Sequence, residues 1–583
     1  MSAVSIDADR PSTAPQDSLK SKSFLRNIGN GKQLALIWVA FSIIAFASLR
    51  LLWSQPGWPE NHEFNSFVQR TQIYAAHYRF GDFMPIWSSI DNNAFGSPQP
   101  LLYHKLFYHV AAALYILTGS IKPALILAIL AFLMIGAWGV YALMQALGAS
   151  RLASAIGGAS LIVANYTIMD WMVKCGVAEF SGYMLVAWTM LYLVKSIQQE
   201  RIHPGLGVLL GVTFIAHAVL AFYLGLLYSA VLLILIAARQ LRFRVALINS
   251  GLVALAIFFA ITLPYLLPMK IMGADYDMSR ELNYVYRPIQ QFQPLHRYFW
   301  DNYWRFGRTW QGFTVQIDLP LTILVAVALL ALLFSRQGQL PGDRSRREAF
   351  KTVLPFALLL VIALLLQSRI AAGFYEWFPG AAFIQFPWRL LAVITPAAIV
   401  FSLYLIDKLF PRLLARMVMI VFGASMVVSS GAFAHIEYGR LKIFDPPLAP
   451  FILGVLGEFV PAKAPTVPIP PLPAGPSYTL QQVLSAAEAS GCAIEDGSPT
   501  TEVKKTEFHI DCQRPALIAL PIYASRAHRL RIGSGGSWEG PTHCTAPPTG
   551  LPALCGVELP AGQSTVAVRF PTFPLFLKSL LSM

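Results

Sequence analysis

The chain has 583 residues, of which 56% are hydrophobic and only 13% charged. A soluble protein of this size needs more charge to cover its surface, so the composition excludes a soluble globular enzyme and points to a polytopic α-helical membrane protein. The formal net charge of +14 does not argue for a nucleic-acid partner, because the basic residues gather in short loops between apolar runs, as the positive-inside rule expects.

Residues 1–32 are polar and place Lys20, Lys22, Arg26 and Lys32 before the first apolar run. No small-residue cleavage site follows that run, so it is expected to be a retained first helix, with the N-terminus in the cytoplasm. Runs long enough to span occur at about 33–53, 122–147, 153–169, 177–197, 204–220, 221–238, 246–268, 319–335, 353–371, 388–406 and 416–434. Four short loops are basic and are expected on the cytoplasmic side. These are 198–203 beside Lys195, RQLRFR at 239–244, 336–351 with Arg336, Arg344, Arg346, Arg347 and Lys351, and 407–416 with Lys408, Arg412 and Arg416. Alternation from these loops places 54–100, 170–176, 269–318 and 369–387 outside. Both ends of the apolar stretch 101–119 then lie outside, so it is expected to run along the membrane or re-enter it. The reading is about eleven spans, N-terminus in and C-terminus out, over a transmembrane domain at 33–435 whose first outer loop is 54–121.

That loop is the most polar part of the membrane region. Its segment 63–80 places Phe64, Phe67, Val68, Tyr74 and Tyr78 at helical spacing among polar residues, which predicts an amphipathic helix in the interface. Asn61 suits the helix N-cap, and Glu63 then falls in the first turn, where the helix dipole keeps a carboxylate ionised as a base requires. Arg70 follows two turns on. The next segment, GDFMPIWSSIDNNAFGSPQP, is too rich in Gly, Pro and Asn for regular structure, and its aromatic residues are expected at headgroup depth. An interfacial cap anchored by tryptophans is the plainer reading of the same loop.

Few other carboxylates lie near the membrane. Asp170 and Glu179 flank Lys174 in IMDWMVKCGVAEF, and Glu179 sits inside an apolar run, which is costly unless it is paired or serves a site. A charged residue at a span end is also an ordinary snorkelling anchor. His217 lies at the turn between two runs and reads equally as a satisfied interface histidine. Arg389, behind the Pro-Trp break of FIQFPWRLLAV, can hold a phosphate bidentately or act as an interfacial anchor. The loop 269–318 adds Asp275, Asp277, Arg280, Arg287, His296, Arg297, Arg305 and Arg308 among many aromatic residues, a mixture that suits a phosphate and a sugar ring or a folded interfacial loop.

Residues 436–476 form a Pro-rich linker or cover segment, and 477–583 alternate in short apolar runs broken by Gly, Pro and Ser, which predicts a small β-sandwich-like extracytoplasmic domain. Of five cysteines, Cys492, Cys512, Cys544 and Cys555 lie there, as expected of disulfides in an oxidising compartment; proximity favours Cys492–Cys512 and Cys544–Cys555 among three pairings.

Taken in order, Glu63 to Arg70, Gly81-Asp82-Phe83-Met84-Pro85-Ile86-Trp87, Phe95-Gly96-Ser97-Pro98 with Tyr103, Lys174 to Glu179, Ala216-His217 and Gln385 to Arg389 resemble the GT-C superfamily of polyprenyl-phosphate-sugar-dependent glycosyltransferases. More narrowly they resemble the bacterial membrane families described as related to 6-pyruvoyl-tetrahydropterin synthase or as YfhO-like; nothing here suggests pterin chemistry. The resemblance covers most of 33–435, and ALIALPIYA with GVELPAGQSTVAVRF resembles the β-domain of such proteins. The family's first-loop acid is usually Asp with His four residues later and Arg seven later; here Glu63 and Arg70 match but Phe67 replaces the His, and Lys174 stands where Arg is common.

The resemblance implies a multi-pass enzyme of the bacterial inner membrane that moves a sugar from a polyprenyl-phosphate donor to an extracytoplasmic glycan, lipid or protein. It implies Glu63 and Glu179 as catalytic carboxylates, with Glu60, His62 and Asp82 as substitutes for the first. It implies Arg70, His62, Asp82, Trp87, Lys174, His217 and Arg389 as substrate-binding residues. Some members use Mg or Mn, for which Glu63, Asp82, Asp170 and Glu179 offer oxygens, but no ligand spacing demands a metal. A lipid-linked-saccharide flippase or transporter and a non-catalytic envelope-glycan scaffold are the alternatives.

Overall fold

The computed structural model describes residues 31–55, 58–59, 64–92, 94–273, 287–300, 315–334, 344–378, 380–438, 443–444, 467–469, 472–475, 478–495, 505–525, 528–534, 537–538, 544, 551 and 553–570. Each of the eleven apolar runs coincides with a helix. Among the described residues nine helices are long and apolar enough to cross a membrane, and Pro204–Ala216 and Leu319–Phe334 are shorter. The chain is a multi-pass helical membrane protein with a small C-terminal sheet region.

The helices that matter below are α1 (Gly31–Ser48), α2 (Phe64–Arg79), α3 (Leu106–Thr118), α4 (Ile121–Ala146), α5 (Arg151–Val163), α6 (Val186–Gln198), α7 (Pro204–Ala216), α8 (Ala218–Ala237), α9 (Val245–Gly273), α10 (Leu319–Phe334), α11 (Arg344–Leu366), α12 (Leu391–Leu409) and α13 (Arg412–Tyr438). Helix α12 is buried nearly throughout, enclosed by α5, α10 and α11. A helix that is apolar on every side belongs at the centre of such a bundle.

Short polar loops meet in two pairs. Ser150 N donates to Asp407 at 2.9 Å, Lys408 Nζ donates to Gly148 O at 2.6 Å, and Arg244 pairs with Glu200 at 3.2 Å. Arg151 also reaches Gln33. Helix α3 has 13 residues, as many as α7. It packs between α2 and α4.

Two expectations are corrected. The first is the exposed face of α2. Phe67, Val68 and Tyr74 are buried, but so are Gln69, Arg70, Thr71, Gln72 and His77, so the helix is enclosed and does not lie half in solvent. Its polar groups are accommodated internally: Thr71 Oγ1 donates to Phe67 O at 2.9 Å, and His77 bridges Asp82 Oδ2 (2.9 Å) and Trp87 O (3.1 Å). The second is the placement of the following loop. Ser88 and Ser97 exchange two backbone hydrogen bonds of 2.8 Å, so the segment is ordered despite its composition. Trp87 is fully buried against protein and is not a lipid-facing anchor; its ring meets His528 edge-on at 4.5 Å and Phe570 at 6.3 Å. Phe95 packs on Tyr523 at 5.5 Å, and Tyr523 N donates to Phe95 O at 2.8 Å. Phe80 and Phe83 are the exposed aromatic residues of this region. The burial follows from a cover that lies more than four hundred residues further along the chain.

That cover is the C-terminal region. Strands β5 (Cys492–Ile494), β6 (Lys505–Cys512), β8 (Arg529–Ser534), β9 (Ser537–Trp538) and β11 (Gly562–Arg569) form an antiparallel sheet in the order β5-β6-β11-β8-β9, and β7 (Ala516–Tyr523) pairs with β10 (Leu554–Leu559). Disulfides join Cys492 to Cys512 and Cys544 to Cys555. A helix, α14 (Leu480–Ala489), precedes the strands and opens on a capping box between Thr479 and Gln482. Within the linker, β3 (Val467–Ile469) pairs with β4 (Leu472–Gly475), and β2 (Ile443–Phe444) pairs with β1 (Trp58–Pro59) at the start of the first outer loop.

Gly96 is fixed by this packing. Its φ is +85°, and a Cβ there would lie 2.6 Å from the Trp87 ring. Gly81 also has a positive φ (+74°) but open space around it. Gly96→Ala is expected to raise hydrogen exchange across residues 84–98 and strands β7 and β10 while leaving α12 protected. Gly81→Ala should show only the backbone cost of about 1 kcal/mol.

Candidate functional site

At the end of the bundle opposite the basic loops, polar side chains converge on Glu179. The chain prepares them locally. After α5, residues Asn165–Ile168 continue as helix and Met169–Val173 widen into a π-turn, in which Lys174 N donates to Met169 O at 2.9 Å and Gly176 N to Asp170 O at 2.8 Å. Such turns recur where a helix must present an unusual set of side chains. Cys175 takes φ +59°, and a Cβ on Gly176 would lie 2.8 Å from Lys174 Nζ and 2.9 Å from Asp170 Oδ1. The glycine leaves room for the pair beside it. Val177–Tyr183 then starts a new helix with Glu179 in its first turn.

Glu179 Oε2 accepts from Lys174 Nζ and from Arg389 Nε, the latter at 2.9 Å, and Oε1 accepts from the Tyr166 hydroxyl at 2.7 Å. Lys174 also reaches Asp170 Oδ1 at 3.3 Å and lies 4.9 Å above the Trp388 ring. Arg389 sits on a short 3-10 turn begun by Pro387, donates to Ile384 O at 3.2 Å and stands over Phe386. His217 Nε2 is 3.9 Å from Glu179 Oε2. Asp170, Lys174, Glu179 and His217 are buried, while Arg389 is part-exposed. Two carboxylates therefore face two cations, a balanced set that could not be buried with any one member missing.

His217 is the hinge between α7 and α8, and its Nδ1 accepts from Leu220 N at 3.1 Å. His104 packs on it with ring centroids 4.2 Å apart, held there because Lys105 N donates to Ile215 O at 2.9 Å. Beyond His104, the Arg70 guanidinium lies 3.8 Å over the Tyr103 ring and donates to the Tyr108 hydroxyl at 3.4 Å. Arg70 also acts on Asp91, a buried carboxyl that accepts from Ser97 Oγ at 2.6 Å. Burial raises the Asp91 carboxyl above the ordinary range, and Ser97 and Arg70 pull part of that back.

The structure thus brings together Glu179, Lys174, Arg389 and His217. Arg70 lies further along the same seam. Asp82 is tied to His77, and Trp87 is under the β-domain, so both shape the loop that covers Arg70. Glu60, His62 and Glu63 lie outside the described residues, as do Asn61, Asp275, Asp277, Arg280, Arg305 and Arg308. Arg287, His296 and Arg297 are exposed. Tyr166, His104 and Asp91 had not been singled out: a tyrosine in an apolar run reads as core, and only the polar density around His104 and Asp91 marked them. Among the described residues no group of three or more His, Cys, Asp or Glu side chains could hold a metal ion. Asp170 and Glu179 are already engaged by Lys174, so the described residues do not fit a Mg or Mn cage.

No protein-family model matches the chain, and no curated protein matches it. Among solved structures it is similar to arabinofuranosyltransferase AftD from Mycobacteria, at 15% identity and TM-score 0.42 over 76% of this chain and 31% of that one. It is similar to the archaeal oligosaccharyltransferase AglB from Archaeoglobus fulgidus at 11% identity and TM-score 0.45, over 74% and 57%. It is also similar to arabinosyltransferase EmbB from Mycobacterium smegmatis at 13% identity and TM-score 0.33, over 97% and 69%. The chain thus spans about a third of AftD and just over half of AglB.

Glu179→Gln leaves Lys174 and Arg389 sharing a buried site without their common counter-charge. The expected loss is about 3–5 kcal/mol, read as a lowered midpoint of thermal unfolding in detergent. Lys174 keeps Asp170, so adding Arg389→Met to that variant removes the cation left without its carboxylate and is expected to recover part of the loss; an unchanged midpoint in the single variant would show that the cluster does not support the fold.

Proposed function

We propose that this protein transfers a sugar from a polyprenyl-phosphate-linked donor to an acceptor hydroxyl on a glycan, lipid or protein at the extracytoplasmic face of the bacterial inner membrane. The observation that carries the reading is the Glu179–Lys174–Arg389 cluster: two cations held ready at one end of a membrane bundle by a carboxylate that an anion can replace. In the reaction the acceptor oxygen attacks the anomeric carbon, the bond from that carbon to the phosphate oxygen breaks, and the electron pair leaves with the phosphate. The leaving phosphate gains one negative charge as the acceptor hydroxyl loses its proton. Lys174 and Arg389 answer that charge, and Glu179, itself held by Tyr166, keeps both cations in place before the donor arrives.

In this reading Glu179 positions the cations and gives way to the phosphate. Its oxygens already accept from three side chains, so the base that takes the acceptor proton is assigned to Glu63 in the first outer loop. Arg70 and His217 are assigned to donor binding along the polar seam that runs from Glu179, and His62 is the further binding residue of the first outer loop. Asp82 and Trp87 act by holding the loop over them. Lipid phosphate is the leaving group, so no nucleotide-binding loop is required. The described residues do not fit a metal cage, and no step is routed through one.

The test is purified full-length protein supplied with radiolabelled polyprenyl-phosphate sugars and envelope acceptors. Sugar transfer is expected. Arg389→Lys, which keeps the charge but loses the planar fork, is expected to lower the rate about 100-fold. Glu63→Gln is expected to abolish transfer while lipid binding persists; transfer that survives it removes Glu63 as the base. No transfer from any donor, combined with movement of the lipid-linked sugar across vesicle membranes, overturns the reading in favour of a transporter. Glycan binding without either activity would make the protein an assembly scaffold.

A further inference from the structure

The imidazoles of His104 and His217 lie against each other, ring centroids 4.2 Å apart and tilted by 38°. Their tautomers are set by the backbone. The first turn of α8 points its free N–H groups at them: Ala218 N donates to His104 Nδ1 at 3.2 Å, and Leu220 N donates to His217 Nδ1 at 3.1 Å. The first N–H groups of a helix have no partner within the helix, so each imidazole supplies the acceptor that the helix lacks. A ring whose Nδ1 accepts carries its single proton on Nε2. Protonating either ring would require Nδ1 to give up its bond to α8.

Both Nδ1 atoms turn toward the start of α8, so both Nε2–H groups face away from it. On that side His217 Nε2 meets Glu179 Oε2 at 3.9 Å. His104 Nε2 has no hydrogen-bond partner among the described residues, although its ring is part-buried. Burial, His217, Arg389 and Lys105 all push the His104 imidazole well below the ordinary histidine range, and Glu179 opposes them. The charged groups around the pair are therefore Glu179 with its partners Asp170, Lys174 and Arg389, and Lys105 on the other side.

We propose that His104 is a ligand-contact residue of this site, a permanently neutral imidazole whose Nε2–H donates to a phosphate oxygen of the lipid-linked donor. The proposal rests on the sugar-transfer reading above. Its physical content is that Asp170, Glu179, Lys174 and Arg389 already balance in charge. A neutral donor adds affinity and direction for an anion without adding a charge that would be unpaired in the empty site. Nothing in the spacing of Tyr103-His104-Lys105 revealed this; the tautomer is decided by a helix start more than a hundred residues away.

Two substitutions separate the two ends of the ring. His104→Asn keeps an oxygen near the Nδ1 position for Ala218 N–H and loses the Nε2 donor. His104→Gln keeps an amide donor near Nε2 and loses the acceptor at Nδ1. The full-length protein in nanodiscs is titrated with an isoprenyl monophosphate, and binding is followed by calorimetry from pH 5.5 to 8. His104→Asn is expected to weaken binding about tenfold with an unchanged unfolding midpoint. His104→Gln is expected to keep most of the affinity and lose stability. The wild-type/Asn affinity ratio should stay constant across this pH range, because a proton on Nδ1 would cost the ring its bond from Ala218 N. Asn binding like wild type while Gln fails would mean that the ring only caps α8 and would overturn the proposal. A ratio that grows as pH falls would mean that the ring acts as a cation, which also overturns it. If the wild-type protein binds no isoprenyl phosphate at any pH, the sugar-transfer reading falls first and the proposal with it.

Discussion

The structure depends on one electrostatic constraint: charges placed inside an apolar bundle must answer one another. Glu179 meets Lys174, five residues earlier in the same turn, but meets Arg389 only across 210 residues of sequence. Removing a charge from water costs several kcal/mol even after relaxation, so no member of this set is stable alone. The π-turn at Met169–Val173, the glycine at 176 and the Pro387 turn can all be understood as the backbone needed to let the four side chains meet. The same constraint fixes the order of packing, because α12 brings Arg389 to the site only when it occupies the centre of the bundle.

A second layer of organisation lies at the same end. The first outer loop is held from beneath by α2 and α3 and from above by the C-terminal strands. His77, Asp82 and Trp87 act within the loop, while Tyr523 and Phe570 act on it. Arg70 and Asp91 are enclosed between these layers. The polar seam from Glu179 through His217 and His104 to Tyr103 and Arg70 is therefore covered by parts of the chain that are far apart in sequence.

How much of this was legible in the sequence follows from the range of the interactions. The helices were legible because about twenty apolar residues suffice to mark one. Glu179, Lys174, His217 and Arg389 each stood out as a polar residue in an apolar setting. Their meeting was not legible, because no local pattern encodes a contact between residues 179 and 389. The disulfide partners were close enough to be paired by proximity. Trp87 misled because a tryptophan beside a membrane helix resembles an interfacial anchor, and only the strands hundreds of residues later bury it. Helix α14 was missed although Thr479 and Gln482 carry a recognisable helix start, because the region was read for alternation.

The pairing of Trp58–Pro59 with Ile443–Phe444, and the burial of Trp87 against His528 and Phe570, join the beginning of the chain to its end. At translation rates of about 5–20 residues per second, the loop emerges on the order of a minute before its cover is made. Throughout that interval its apolar face has no native partner, and local folding cannot finish it. Maturation of the site must therefore be a late event that follows release of the C-terminus. A chain shortened by its last hundred residues would insert with its spans intact and leave the loop as bait for quality-control proteases.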